Sequence, residues 1–329
     1  MHQFLRAFII LGALVSSICS AQQIVALDPG MEQLVPAGSR IEMIGEGFHW
    51  LEGPVWDRKE NRLLFSEIPT NTAWQWTREG GSSVFLKPSG HTGIAPPTGV
   101  ELGSNGLAFD HEGRLLVCEQ GDRRLTRLEK DGSKTTLADR FEGNRLNSPN
   151  DLVVLKDGSI LFTDPPYGLP KGFSNPLREL PYCGVFRLSP DGTLTLLTKE
   201  MSAPNGIAIS PDEKYMYIAN SDSKRAVVAR FELKEDGKIG EQMVLLDATA
   251  FAGKKPGLPD GLKVDARGNL FVTGPGGIYV VSPEGKHLGT IEFDAAVSNC
   301  GWGEDGSTLF ATVTSKVYRI ETTTKGAGW

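Results

Sequence analysis

Apolar residues along this chain fall in short runs separated by turns rich in Gly, Asp and Glu. Paired runs of that length joined by such turns predict β-hairpins. One hairpin pattern occurs six times: EGPVWDRKENRLLFSE (52–67), NGLAFDHEGRLLVCEQ (105–120), NDLVVLKDGSILFTD (150–164), NGIAISPDEKYMYIAN (205–220), DGLKVDARGNLFVTG (260–274) and NCGWGEDGSTLFATV (299–313). Further strand-like pieces lie between the repeats, among them RRLTRLEKDGSKTTLAD (123–139) and GVFRLSPDGTLTLLT (184–198), which makes four strands per unit. Four-stranded units recurring every 39 to 55 residues predict an all-β, six-bladed β-propeller, each blade burying its faces against its neighbours. Only three strands fit after Asn299, so the last blade is expected to take its fourth from RIEMIG (40–45), closing the ring and leaving no open sheet edge.

Composition agrees with a turn-rich β chain: 39 glycines and 20 prolines in 329 residues, with no low-complexity tract. A net charge of −6 provides no basic field, so neither nucleic acid nor an anionic membrane surface is an expected partner. The N-terminus MHQFLRAFIILGALVSSICSAQQ has an early Arg6, an apolar run from Phe8 to Val15 and small residues ending at Ala21. Residues 1–21 are therefore expected to be a cleaved signal peptide, with 22–329 a single secreted or periplasmic domain. A retained anchor would need an apolar run of about 20 residues, and lipidation at Cys19 is disfavoured by Ile18 just before it. The remaining cysteines, Cys118, Cys183 and Cys300, are odd in number and lack C-x-x-C spacing, which argues against a disulfide framework or a zinc site. Two long intervals, 87–104 and 165–183, are rich in Pro, Gly and aromatic residues; they either wall a pocket or merely join strands.

Aligned, the six repeats begin with Glu52, Asn105, Asn150, Asn205, Asp260 and Asn299. Taken singly, Asn-Gly and Asp-Gly are ordinary turn pairs. Glu52 breaks that account, and Asn150 is followed by Asp151. In a propeller the position at the start of the innermost strand faces the axis, so six oxygen-bearing side chains should converge at one mouth of the channel. Two carboxylates among neutral amides suit a hard divalent cation, calcium first, since calcium accepts carbonyl oxygens and irregular geometry. Magnesium, manganese and zinc are the other ions to consider, although the five histidines (2, 49, 91, 111 and 287) show no paired ligand spacing. No G-x-S-x-G elbow is present, and GPGGIY (274–279) is followed by no helix that would make it a phosphate loop.

The stretches LEGPVW, SNGLAFD, LNSPNDLV, FTDPPYG, APNGIAISPDE, PDGLKVDARGNLF and SNCGWG resemble the senescence marker protein (regucalcin)/gluconolactonase family, most of all its bacterial gluconolactonase branch. The resemblance runs from about residue 40 to residue 322. It implies a six-bladed propeller with a divalent metal, usually calcium, held by Glu52, Asn150, Asn205 and Asp260, while Asn105 contacts substrate. It implies hydrolysis of sugar lactones, a small-molecule substrate, by a protein taken as a monomer. The role of Asn299 stays open. On that basis Asp260 is expected to position or deprotonate the attacking water, a direct nucleophilic role being the variant. Tyr167 and His91, from the two long loops, are expected to hydrogen-bond the sugar hydroxyls. Phosphotriesterase-like or general esterase chemistry, and a non-enzymatic propeller braced by calcium, are the competing readings.

Overall fold

The computed structural model describes residues 22–93, 101–176 and 178–329. The expected signal peptide, 1–21, lies outside the described residues, as do 94–100 of the first long loop. Six antiparallel sheets form six blades, and each innermost strand lies beside that of the next blade until Val297–Gly303 meets Leu51–Asp57 and the ring closes. Helix is confined, among the described residues, to three single-turn 3-10 segments, and no helix there is long and apolar enough to cross a membrane.

Burial on both faces explains the continuous apolar runs. In RLLF of blade 1, Leu63 and Phe65 pack toward blade 6 while Leu64, between them, packs toward blade 2. In blade 4, Met216 and Ile218 face blade 3, whereas Tyr217 and Ala219 face blade 5. Period-two alternation thus distributes one strand's apolar residues between two separate interfaces. Each of the six junctions holds its own cluster, and the largest joins blades 5 and 6 through Phe271, Ile278, Trp302 and Leu309. At about 1.5–3 kcal/mol per fully buried large apolar side chain, these clusters are the main force holding the ring shut.

The last blade is completed from the N-terminus, as its strand count predicts: Ile41–Glu46 pairs antiparallel with Lys316–Glu321, Ile41 opposite Ile320. One strand was not foreseen. Gln23–Ala26 adds a fifth strand to blade 5 by pairing with His287–Glu292. The chain therefore crosses the seam twice, and Met31, Leu34 and Val35 between the two strands seal the blade 5–6 junction. Cys118, Cys183 and Cys300 are buried and unbridged.

The first hairpin of every blade turns on an aspartate. Asp57, Asp110, Asp157, Asp212, Asp265 and Asp305 each accept backbone N–H bonds from residues two to four positions ahead, at 2.8–3.2 Å. This is Asx-turn chemistry. Six acidic positions are thereby accounted for by turns at the end of the inner strands opposite to Glu52 and Asp260.

Candidate active site

Backbone geometry sets the six repeat heads apart. In blades 1, 2, 4 and 6 the ladder register shifts at the head of the inner strand, between Glu52 and Val55, Ser104 and Leu107, Pro204 and Ile207, and Val297 and Asn299. In blades 3 and 5 regular pairing begins only after Asn150 and Asp260, at Leu152 and Leu262. A bulge of this kind ends pairing and re-aims a side chain. The glycines after the heads belong to the same design, because the inner strands come closest to one another here. A Cβ on Gly206 would stand 2.2 Å from the Asp260 carbonyl, and one on Gly53, whose φ is +53°, 2.2 Å from the Asn105 carbonyl. Asn-Gly is thus a strand feature in this fold, replacing the turn reading that each pair allows alone.

Bonds between neighbouring blades fix the heads in place. Gly106 N–H donates to Asn150 O at 2.7 Å, Gly206 N–H to Asp260 O at 3.2 Å and Gly261 N–H to Ser298 O at 2.7 Å. Hydroxyls on second strands reach the next blade: Ser66 Oγ to Asn105 O at 2.8 Å, Thr163 Oγ1 to Asn205 O at 2.6 Å and Ser221 Oγ to Pro259 O at 2.5 Å. Main-chain groups hold the ring, and the head side chains are left to point inward.

Glu52, Asn105, Asn150, Asn205, Asp260 and Tyr167 all line one cavity of about 540 Å³. Asn105 Oδ1, Asn150 Oδ1 and Asp260 Oδ1 are buried and accept no hydrogen bond from the protein, whereas Oδ2 of the adjacent Asp151, which does not line the cavity, faces the Lys263 ammonium at 3.9 Å. Leaving a buried acceptor without a donor costs about 1–3 kcal/mol, and folded proteins rarely tolerate it. Several such oxygens around one cavity mark a place where the partner is not a protein group. Asn299 is different. Its Nδ2 donates to Glu52 Oε2 at 3.1 Å and its Oδ1 accepts from Cys300 N–H at 2.8 Å, so it positions Glu52 and its oxygen is already engaged by the backbone.

Charge at the cavity floor points the same way. Burial pushes the Glu52 carboxyl up; the Asn299 amide draws it partly back, and Asp151 and Glu101 press it higher. Asp260 is raised well above the usual carboxyl range by burial and then by Glu52, Asp151 and Glu101. Two carboxyls crowded into one desolvated space want a compensating positive charge. The donor set fits a hard cation: oxygens from the repeat heads, with no thiol or imidazole among the described residues lining the cavity. Among the described residues no three His, Cys, Asp or Glu side chains gather as a metal site. A cation here must lean on amide oxygens, which calcium accepts and zinc seldom uses.

The second long loop brings Tyr167 to the wall. Asp164 accepts the N–H groups of Asn147 and Ser148, both at 2.7 Å, and Ser148 Oγ accepts the N–H of Gly168 at 2.8 Å. That chain fixes the loop, and the Tyr167 ring meets Phe173 edge-on with centroids 5.5 Å apart. Burial, followed by the nearby Asp260, raises the phenol well above its ordinary value, so it stays a neutral donor. His91 is not among the described residues lining the cavity. Its Nδ1 lies 3.0 Å from Asp122 Oδ1, while Asn71 bonds its backbone on both sides, so the ring anchors the root of the first long loop. Glu101, Lys255 and Trp50 also line the cavity and were not foreseen, because none occupies a repeated position; Ser221, the second-strand hydroxyl of blade 4, lines it too.

The sequence model described as SMP-30/gluconolactonase/LRE-like region matches residues 50–315. The chain belongs to this family. A gluconolactonase from Zymomonas mobilis is 39% identical over 310 residues, 92% of this chain and 87% of that protein. The solved structure of a gluconolactonase from Xanthomonas campestris superposes with a TM-score of 0.79 at 30% identity, covering 91% of this chain and 94% of that one. A calcium-binding regucalcin from Agrobacterium tumefaciens shares the fold, with a TM-score of 0.67 at 18% identity over 88% of this chain and 96% of that one.

Proposed function

We propose that this family member is a lactone hydrolase that opens sugar lactones, glucono-1,5-lactone among them, to aldonic acids with the help of a divalent cation. The observation that carries the reading is the group of buried, partnerless oxygens on the cavity floor, found in a chain whose gluconolactonase relatives match nearly its whole length. Glu52, Asn150, Asn205 and Asp260 would hold the cation, calcium being the best match to their oxygens. When bound, it supplies Lewis-acid polarisation of the ester carbonyl.

The protein's own groups account for the rest. Asp260 holds the attacking water at the floor and accepts its proton as the new C–O bond forms. The ring C–O bond then breaks, and the proton passes to the departing ring oxygen. Asn299 keeps Glu52 in place through the 3.1 Å amide bond. Asn105 and Tyr167 orient the sugar from the cavity wall, their neutral polar groups fixing direction without adding charge. Export after removal of residues 1–21 is part of the proposal and suits an enzyme meeting lactones formed by sugar oxidation outside the cytoplasm.

The test is acid release from glucono-1,5-lactone above the spontaneous rate, by the purified protein, before and after EDTA, with calcium, magnesium, manganese or zinc restored. Loss with EDTA and recovery with calcium are expected. No catalysed opening with any ion would reject the lactonase reading and turn the search to phosphotriesters and other esters.

A further inference from the structure

Besides the repeat heads, the cavity is lined by Trp50, Ile68, Tyr167, Leu258 and Val297, with the polar Ser221, Ser223 and Lys255. One further carboxylate joins them. Glu101 lies in the connection between blades 1 and 2, three residues before Ser104–Phe109 begins, and is partly buried against the cavity. Among the described residues it has no hydrogen-bond donor and no cation beside it. Lys255 is the one cationic side chain among the described residues lining the cavity, and its ammonium sits 3.0 Å from Glu292. Burial raises the Glu101 carboxyl to about 7, and its charge is felt by Glu52, Asp260 and Tyr167. An acidic group half withdrawn from water, close to two other carboxyls, is costly unless a ligand donates hydrogen bonds to it.

We infer that Glu101 is the residue that reads the hydroxyl groups of the lactone ring, selecting polyhydroxylated lactones over unsubstituted ones. The inference rests on the lactonase reading and extends it to substrate class. With the ester carbonyl at the floor, the hydroxyl-bearing ring carbons point up the wall, where Glu101 is the charged acceptor. A carboxylate accepts from two neighbouring hydroxyls at once, and hydrogen bonds to a charged group are the stronger kind. A lactone without hydroxyls gives it nothing and leaves it desolvated in the complex. Discrimination of this sort, where a site built to bond a hydroxyl rejects the analogue lacking it, is the strongest that binding alone achieves.

The experiment compares kcat/KM for glucono-1,5-lactone with that for δ-valerolactone, which has the same ring and no hydroxyls, in the wild type, Glu101→Gln and Glu101→Ala. Thermal melting checks that each variant is folded, and calcium titration checks the floor. The expected result is a ratio of the two kcat/KM values that falls by about ten- to a hundredfold in Glu101→Ala, mainly through KM for the sugar lactone. Glu101→Gln, which keeps one acceptor oxygen, should fall between, and calcium affinity should weaken only by the same few-fold factor in both variants, through the loss of one nearby charge. An unchanged ratio in a folded Glu101→Ala protein would overturn the inference while leaving the lactonase intact. So would a calcium affinity lost almost entirely in Glu101→Ala and largely kept in Glu101→Gln, since Glu101 would then be a cation ligand. A wild type that opens neither lactone would instead sink the lactonase reading, and the inference with it.

Discussion

The two ends of the inner strands carry similar numbers of polar residues and use them in opposite ways. At the far end, six aspartates have committed their oxygens to turn N–H groups; Asp265, fully buried, accepts from Arg267 N–H, Asn269 N–H, Asn269 Nδ2 and Thr324 Oγ1 at 2.8–2.9 Å. At the near end Asp260, a residue partly open to the cavity, buries an oxygen, Oδ1, that has no donor at all. Both are aspartates of the fifth repeat, five residues apart. An acidic residue in a repeat is therefore structural or chemical according to whether the surrounding backbone satisfies it. The far end shows what the fold does when stability alone is served.

Four substitutions or conditions would break or sharpen that contrast. The largest effect belongs to Asp260→Asn: turnover should drop by at least about a hundredfold, with the melting temperature held or slightly raised, since a crowded charge is removed. Undiminished steady-state hydrolysis would take Asp260 out of the chemistry. Asp265→Ala should do the reverse, destabilising by about 2–5 kcal/mol as buried donors lose their acceptor, while kcat per folded molecule is preserved; denaturant melts beside active-site titration would show it.

Asn299→Ala comes next. Removing the amide that positions Glu52 should lower kcat several-fold, by about 1 kcal/mol in the barrier, and weaken calcium binding by a similar factor. An effect on kcat equal to that of Asp260→Asn would mean that Asn299 acts directly. The smallest effect is in pH. A carboxyl raised in the folded state keeps its proton there after the unfolded chain has lost it, so its contribution favours folding at low pH and fades as pH climbs through the folded value. For Glu52 and Asp260, both raised, the EDTA-treated protein should melt lower at about pH 8 than at about pH 5, and calcium should remove much of the difference. A slope indifferent to calcium would place its cause elsewhere.

Much of this was legible in the sequence, for physical reasons that differ by residue. The six heads could be aligned because pseudosymmetry repeats the local pattern, and the strand borrowed from Ile41–Glu46 could be inferred because a blade with three strands leaves an edge. Gln23–Ala26 escaped notice because a lone added strand has no counterpart in the other blades. Glu101 escaped for the same reason: it is a single acid in an irregular loop, given meaning only by what stands around it. His91 shows the limit of a loop histidine as a signal: only the structure places its ring beside Asp122 and its backbone on Asn71. Four heads are followed by glycine, which alone suggests a turn, and only packing between blades reveals that Gly53 and Gly206 make room for the neighbour's carbonyl.

The most direct test of the central claim is calorimetric titration of calcium into EDTA-treated protein, run beside Asp260→Asn and Asp265→Asn. The near-end oxygens should bind calcium in the wild type, raise its melting temperature, and lose most of that affinity in Asp260→Asn but not in folded Asp265→Asn. No heat and no melting shift in the wild type, or equal loss in both variants, would contradict the view that those oxygens are left open for a cation.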